Sequence, residues 1–450
     1  MGKRPEITFG TDGVRGVANK GLTPEDALRL GLAAARFFGG PILIGRDTRV
    51  SGGMLSGALA AGAASGGAKV VDLGVLPTPG VAALAPRLGA AAAVVISASH
   101  NPYPDNGIKF FSGEGRKLSA GKEGELERLT GGEDYERPVG ALVGPVEALS
   151  NAGKLYAEKV SKRLQPGAEG MKVLLDCANG ASYEVAPAVF GETGVDLDVV
   201  GAGPNGTNIN DGCGSTNIER LDASGYDVAF AFDGDADRVL AVDEKGSLVD
   251  GDRIIAILAR DLAERGALAG GVVVTVMSNL GFLKAMASLG IPCEVTSVGD
   301  RHVASEMKRL GASVGGEQSG HVILSEYATT GDGIVTALAL LDVMARSGKP
   351  LSELSEVMEV YPQSLINVTV ENPAAAKAVA ASHEVGRAVS AAEERLGGEG
   401  RILLRPSGTE PLVRVMIEHV DGKVCREVCE EVAGIVAKAD ANFDVEVRVS

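Results

Sequence analysis

Three consecutive α/β domains with mixed, mostly parallel sheets, followed by a small two-layer α+β domain, are predicted for this 450-residue chain by three observations. At roughly 150 residues per domain the length suggests three domains and accommodates four. Short β-like runs alternate with Ala/Gly-rich helical runs in three successive blocks, the rhythm of strand–helix–strand units. The chain beyond Pro362 changes rhythm and reads β-α-β-β-α-β, a two-layer pattern.

In the first block, Pro41–Ile44 reads as a strand, Gly53–Ala64 as a helix, and Ala68–Leu73 and Ala92–Ile96 as strands. The second repeats the rhythm at Met171–Asp176, Glu184–Phe190 and Leu197–Val200, with a further apolar strand at Val228–Phe232. The third runs through Val272–Val276, Phe282–Ser288, Cys293–Ser297 and His302–Leu310. The last reads as strand Leu365–Val370, helix Ala374–Leu396, strands Arg401–Leu404 and Pro411–Glu418, helix Val424–Ala439 and strand Phe443–Val449. Boundaries near Ser150, Gly251 and Pro362 give domains 1–150, 151–251, 252–362 and 363–450.

Hydrophobic residues at 45% and charged residues at 23% are ordinary for a globular protein and exclude a largely disordered chain. The formal charge of −16 opposes binding to nucleic acid or an anionic membrane, so neither is an expected partner. It opposes anionic metabolites too, so any phosphate site has to be assembled locally from Arg, Lys, backbone N–H groups or metal. Cys177, Cys213, Cys293, Cys425 and Cys429 are few and odd in number, which predicts free thiols in a reducing compartment. The start has no apolar signal segment and no run approaches the ~20 residues of a membrane helix, so a cytoplasmic location is expected.

The sharpest local signal is Asp233-Gly234-Asp235-Ala236-Asp237-Arg238, directly after a probable strand. Three carboxylates at alternate positions repel unless a hard cation neutralises them, which points to Mg²⁺ over a solvated acidic turn. Glu244 stands twelfth from Asp233, as in an EF-hand, but Arg238 occupies the required glycine position and strands flank the loop.

Ser97-Ala98-Ser99-His100-Asn101-Pro102 follows a strand and opens a turn-rich loop through Asn106-Gly107. A serine there serves as a nucleophile if activated, or the stretch is a plain Asn-Pro turn. Lys109 either assists proton transfer and holds phosphate or is a solvated lysine. Gly315–His321 sets Glu317, Ser319 and His321 between glycines, a geometry suited to a polyhydroxylated ligand, with His321 either an acid/base or structural. Arg405-Pro406-Ser407-Gly408-Thr409-Glu410 joins two strands and suits phosphate, or is a hairpin turn. Thr8–Gly16 is a Gly-rich turn carrying Arg15, and Gly299-Asp300-Arg301 at a strand end offers an anion contact. Gly201–Gly206 spells G-x-G-x-x-G, but Pro204 and the residues after it open no helix, so no nicotinamide site is expected; a P-loop motif is absent.

Taken together and in order across nearly the whole chain, Gly10–Gly16, Ser97–Pro102, Asp233–Arg238, Glu317–His321 and Arg405–Thr409 resemble the α-D-phosphohexomutase superfamily. Ile96–Pro102, Gly316–His321 and Thr329–Gly333 are similar to its bacterial amino-sugar branch. Gln318, where mannose and glucose branches usually carry Met, favours that branch; Ser97 departs from the Thr common in hexose branches without removing a reacting group.

The resemblance implies four domains around a central cleft and an isomerase that moves phosphate between O6 and O1 of a hexosamine. Glucosamine 1,6-bisphosphate would be the intermediate, and the product would feed amino-sugar nucleotide synthesis. Ser99 would be the phosphoserine, and Asp233, Asp235 and Asp237 with a phosphate oxygen on Ser99 would hold one Mg²⁺ per subunit. Arg15, Lys109 and His321 would transfer protons or support the phosphoserine, with Arg238 adding positive charge. Glu317 and Ser319 would grip the sugar, while Arg405, Ser407, Gly408 and Thr409 would hold the unreactive phosphate. A monomer or homodimer is expected. The same chemistry on glucose or mannose phosphates, or a Mg²⁺-dependent phosphatase, are the rival expectations.

Overall fold

The computed structural model describes residues 7–10, 12–131, 136–164, 167–407, 410–439 and 448–449. The chain divides into two compact units, Met1–Ser278 with Met286–Val357, and Asn279–Ala285 with Met358–Ser450. The first carries three sheets. Its six-stranded sheet runs in the order Val14–Val17, Asp105–Ser112, Ala92–Ile96, Ile42–Arg46, Val70–Val75, Val146–Ala148. Ile42–Arg46 pairs in parallel with both Val70–Val75 and Ala92–Ile96, whereas Asp105–Ser112 returns antiparallel. Ala92–Ile96 is apolar at every position and wholly buried, as a central strand covered on both faces must be.

The second sheet runs Leu248–Val249, Val239–Asp243, Val228–Phe232, Lys172–Asp176, Asp196–Val200. The third runs Cys293–Thr296, Val272–Thr275, Val314–Gly316, Val322–Leu324. All three are mixed α/β sheets, as the alternation predicts. Two local readings are corrected. Asn106-Gly107 is not part of a turn: both lie inside strand Asp105–Ser112, with Asn106 opposite Gly16 and its side-chain amide bonded to Ser51 Oγ at 2.9 Å. Asp300 and Arg301 are not strand-end residues but open helix Asp300–Leu310, because Gly299 turns the chain at φ 122°.

The second unit is an antiparallel four-stranded sheet, ordered Gly400–Pro406, Leu412–His419, Gln363–Thr369, Arg448–Val449, with its helices supplying the second layer. The single helix expected over Ala374–Leu396 is two, Pro373–Ala380 and His383–Leu396. Ser382 makes the break, its hydroxyl capping the second helix by accepting from Val385 N. Of the strand expected at Phe443–Val449, Arg448–Val449 pairs with Gln363–Thr369; residues 443–447 lie outside the described set. The buried carboxylate of Glu418 accepts from Arg401 Nε (2.5 Å), Leu280 N (2.9 Å) and Asn279 Nδ2 (3.3 Å), which ties Asn279–Ala285 into this unit.

All five cysteines are free, as expected. Among the described residues no helix is long and apolar enough to cross a membrane.

One buried acid sets a pH dependence. Asp332 caps helix Gly333–Ser347 and accepts from the Tyr156 hydroxyl at 2.7 Å. Burial pushes its carboxyl up to about 6 from 3.8. The folded state therefore binds the proton more tightly than the unfolded one, so Asp332 favours folding at low pH and loses that contribution as pH rises from about 4 through about 6. The loss amounts to about 3 kcal/mol by pH 7. Asp332→Asn keeps a capping side chain and cannot ionise. Its stability relative to wild type in urea melts is expected to improve steadily between pH 4 and 7; a constant difference would contradict the assignment.

Candidate active site

Ser99 lies three residues beyond strand Ala92–Ile96, in the left-handed region at φ 53° and 1% exposed. For a serine this conformation costs about 1–2 kcal/mol, and a buried polar network offsets it. Ser99 N donates to Ser97 Oγ (2.9 Å), which donates to Asp47 Oδ2 (2.6 Å). Asp47 in turn holds Arg49 Nε at 2.8 Å, with both side chains fully buried. The Arg49 guanidinium donates to the carbonyls of Ser99 (2.9 Å), Asn101 (2.7 Å), Pro102 (2.5 Å) and Asp105 (3.0 Å), gathering the loop around one planar fork. Asn210 Nδ2 reaches the same Ser99 carbonyl at 2.9 Å from the second α/β region.

This network aims the Ser99 hydroxyl at Asp233 Oδ2, to which it donates at 2.5 Å across 134 positions of sequence. Asp233 directly follows the buried strand Val228–Phe232, and Asp233–Arg238 is the turn into the antiparallel strand Val239–Asp243. The turn folds Asp233, Asp235 and Asp237 together, with one ligand oxygen from each within 4.8 Å of the others. Gly234 lets it abut the serine loop, since a Cβ there would lie 2.6 Å from the Ser99 carbonyl oxygen.

The carboxylates are unequal. Burial, with Asp237 and Asp235 beside it, pushes the Asp233 carboxyl well above the ordinary range. Asp235 is also buried, but Lys109 Nζ at 2.8 Å and Thr78 Oγ1 at 2.6 Å hold its carboxyl below that range. Lys109 is the reverse of the solvated lysine considered above: it is 3% exposed, and despite burial Asp235 and Asp237 hold it charged. Asp235 Oδ1 and Asp237 Oδ1 are buried with no hydrogen-bond partner. Clustered carboxylates with unpartnered oxygens are the donor set of a hard divalent cation, so the residues fit magnesium.

Above the turn lies a cavity of about 380 Å³, lined by Ser99, Lys109, Asp237, Arg238, Arg15 and Asp12 on one side. Glu317, Gln318, Ser319 and His321, from the hairpin loop between Val314–Gly316 and Val322–Leu324, line it from the third sheet together with Gly299 and Asp300. Glu317 Oε1 accepts from Gly299 N at 3.1 Å and Gln318 Nε2 donates to Asp250 Oδ2 at 3.2 Å, which fixes the loop. The buried Nε atoms of Arg15 and Arg238 have no hydrogen-bond partner. Burial, together with Arg238 and Arg15, lowers the pKa of His100. Arg15, Lys109 and Arg238 set three cations among the carboxylates that line the cavity, and a divalent cation on the acidic turn would add the positive charge that an anion site requires.

Arg301 does not line this cavity; its guanidinium bonds Glu123 Oε2 at 2.6 Å. In the second unit Arg405 sits opposite Arg414 across paired strands, and Ser407 Oγ accepts from Glu410 N at 3.1 Å. Gly408 and Thr409 lie outside the described residues. Sequence reasoning missed Asp47, Arg49, Thr78, Lys117 and Asn210. The pair Asp47 and Arg49 had a readable signal, a charged run directly after the buried strand Ile42–Arg46.

Four family models, described as phosphoglucomutase/phosphomannomutase α/β/α domains I, II and III and C-terminal domain, match residues 6–137, 154–246, 250–361 and 365–435. The chain belongs to the phosphoglucomutase/phosphomannomutase family. Within that family it is 71% identical to the phosphoglucosamine mutase of Rubrobacter xylanophilus, over 97% of this chain and 98% of that one. It is 52% identical to the phosphoglucosamine mutase of Moorella thermoacetica, over 92% and 95%. Among solved structures, a phosphoglucomutase/phosphomannomutase family protein of Burkholderia thailandensis superposes with a TM-score of 0.82 at 23% identity, covering 98% of this chain and 99% of that one. The N-acetylphosphoglucosamine mutase of Aspergillus fumigatus, solved with GlcNAc-6P and magnesium, gives 0.70 at 20%, covering 97% and 96%. At these identities the two structures speak for the phosphohexomutase fold.

Proposed function

We propose that this chain is a phosphoglucosamine mutase, interconverting glucosamine 6-phosphate and glucosamine 1-phosphate through phosphoserine at Ser99 and glucosamine 1,6-bisphosphate. The observation that carries the reading is the Ser99 hydroxyl set 2.5 Å from Asp233, in the wall of a cavity that Arg15, Lys109 and Arg238 also line. The 71% identity to a phosphoglucosamine mutase supports the amino-sugar substrate.

Moving phosphate between two oxygens of one sugar takes two transfers. In the first, a sugar hydroxyl attacks the phosphoryl group on Ser99; the P–Oγ bond breaks, the hydroxyl gives up its proton and Oγ takes one. The bisphosphate turns over and Oγ attacks the other phosphate, returning a proton to the sugar oxygen that leaves. Asp233, Asp235 and Asp237 would hold magnesium, which would supply charge neutralisation at the phosphoryl group. Lys109, beside Asp235 and Asp237, stabilises negative charge on the phosphoryl group. Arg15 and Arg238 orient phosphate, and Glu317 and Ser319 take sugar hydroxyls from the facing loop. Arg405, Ser407, Gly408 and Thr409 are assigned to the phosphate that is not reacting.

The test is a panel of glucosamine, glucose and mannose 1-phosphates in coupled assays on protein whose phosphorylation state is known. Glucosamine 1-phosphate is expected to give the highest kcat/KM. A large preference for mannose 1-phosphate, or inorganic phosphate released as fast as isomer forms, would overturn the reading.

A further inference from the structure

His321 is 2% exposed, and its two ring nitrogens meet different surroundings. Nε2 accepts a hydrogen bond from the backbone N–H of Gly331 at 3.2 Å. Nδ1 is buried with no partner. A proton on Nε2 would face the Gly331 N–H donor to donor, with the Asp300 carboxylate 3.6 Å away, too far for a hydrogen bond. The contact with Gly331 depends on the glycine, since a Cβ there would lie 2.4 Å from Nε2. Its loop is anchored at both ends, by Thr329 Oγ1 donating to Gly115 O at 2.5 Å and by the bond from Tyr156 to Asp332.

Asp300 is the group that opposes this arrangement, because a nearby carboxylate draws a proton to the nitrogen facing it. Lys117 stands against it: the ammonium contacts Asp300 Oδ2 directly and Asp12 Oδ1 at 3.1 Å. Lys117 was not among the residues predicted from sequence, and it does not line the cavity.

We infer that His321 is held as the neutral Nδ1–H tautomer, its Nε2 lone pair committed to the Gly331 amide, and that Lys117 is the positioning residue that preserves this state by neutralising Asp300. The inference rests on the reading of the cavity as the mutase site. Its consequence there is specific: the proton of His321 sits on Nδ1, a buried donor with no partner, and a substrate oxygen completes it. His321 then meets the substrate as a neutral hydrogen-bond donor that steadies charge on a departing oxygen; it keeps its proton, whose loss would leave an imidazolate, and with Nε2 committed it removes none from an attacking oxygen.

The tautomer is read directly by two-bond 1H–15N correlation on the full chain labelled at its histidines, at pH 8, with His321→Asn assigning the signal. The expected pattern is a protonated Nδ1 and an unprotonated Nε2. A protonated Nε2, alone or with Nδ1, would overturn the inference. In Lys117→Met the Nε2 signal is expected to move towards the protonated type, while Lys117→Arg, which keeps the charge, retains the wild-type pattern. Identical spectra for wild type and Lys117→Met, with both folded by melting temperature, would remove Lys117 from the role. The spectrum does not depend on turnover. Unchanged mutase turnover in His321→Asn would instead sink the catalytic reading of His321, whatever the tautomer.

Discussion

Ser99→Ala is expected to lose mutase turnover by about four orders of magnitude or more while still binding sugar phosphate, because it removes the one atom that carries the phosphoryl group between sugar oxygens. The fold gives no reason for collapse. Ser99 N still donates to Ser97, and the Ser99 carbonyl still receives Arg49 and Asn210. The left-handed φ remains a cost for alanine as it is for serine. Binding is read by calorimetry with glucosamine 6-phosphate, and turnover by the coupled assay. Mass spectrometry adds a second reading: the peptide spanning Ser99 in active wild-type protein is expected to carry one phosphate. Finding none, or turnover in Ser99→Ala within tenfold of wild type, would contradict the role of this hydroxyl.

Asp233→Asn is expected to act in opposite directions on catalysis and on metal-free stability. Burial and the charges of Asp237 and Asp235 push the Asp233 carboxyl up, so its ionised form costs folding free energy when no cation is bound. A neutral side chain of the same shape removes that cost, and the metal-free variant should melt at or above the temperature of metal-free wild type. With magnesium present the order reverses, since a ligand is gone and stabilisation by bound cation weakens. Loss of several kcal/mol of charge neutralisation at the phosphoryl group corresponds to roughly three orders of magnitude in turnover. Calorimetric titration with Mg²⁺, melting with and without chelator, and the mutase assay together decide. Wild-type Mg²⁺ affinity in this variant would remove Asp233 from the metal site.

Much of this site was legible in the sequence because its parts are contiguous. Asp233–Arg238 carries three acids in one turn, and Glu317–His321 places its polar residues in one hairpin loop. Asp233–Arg238 also follows a strand apolar enough to be recognised, so that motif and its place in the fold could be read together, whereas the three-residue strand Val314–Gly316 before Glu317 was not read. Strand Asp105–Ser112 was not readable, because Asn106-Gly107 has the spelling of a turn. In the fold Asn106 has a buried partner in Ser51 and Gly107 packs against the Ser97 carbonyl. Lys117 escaped for a related reason, since Arg116-Lys117 reads as solvated surface, and the charged run that marks Arg49 does not tell what it binds. Only the fold brings together the four carbonyls that make Arg49 a buried scaffold, or the two acids that fix Lys117.

The loop that presents Ser99 draws much of its support from residues 47–105, with Asn210 adding bonds to two of its carbonyls, whereas its acidic neighbour arrives 134 positions later. On the ribosome the earlier segment emerges and can close around Arg49 while codons for the turn at Asp233 remain untranslated. A nascent polypeptide halted in between would own a shaped hydroxyl and no cation cage, so reactivity is withheld until the second sheet has been made.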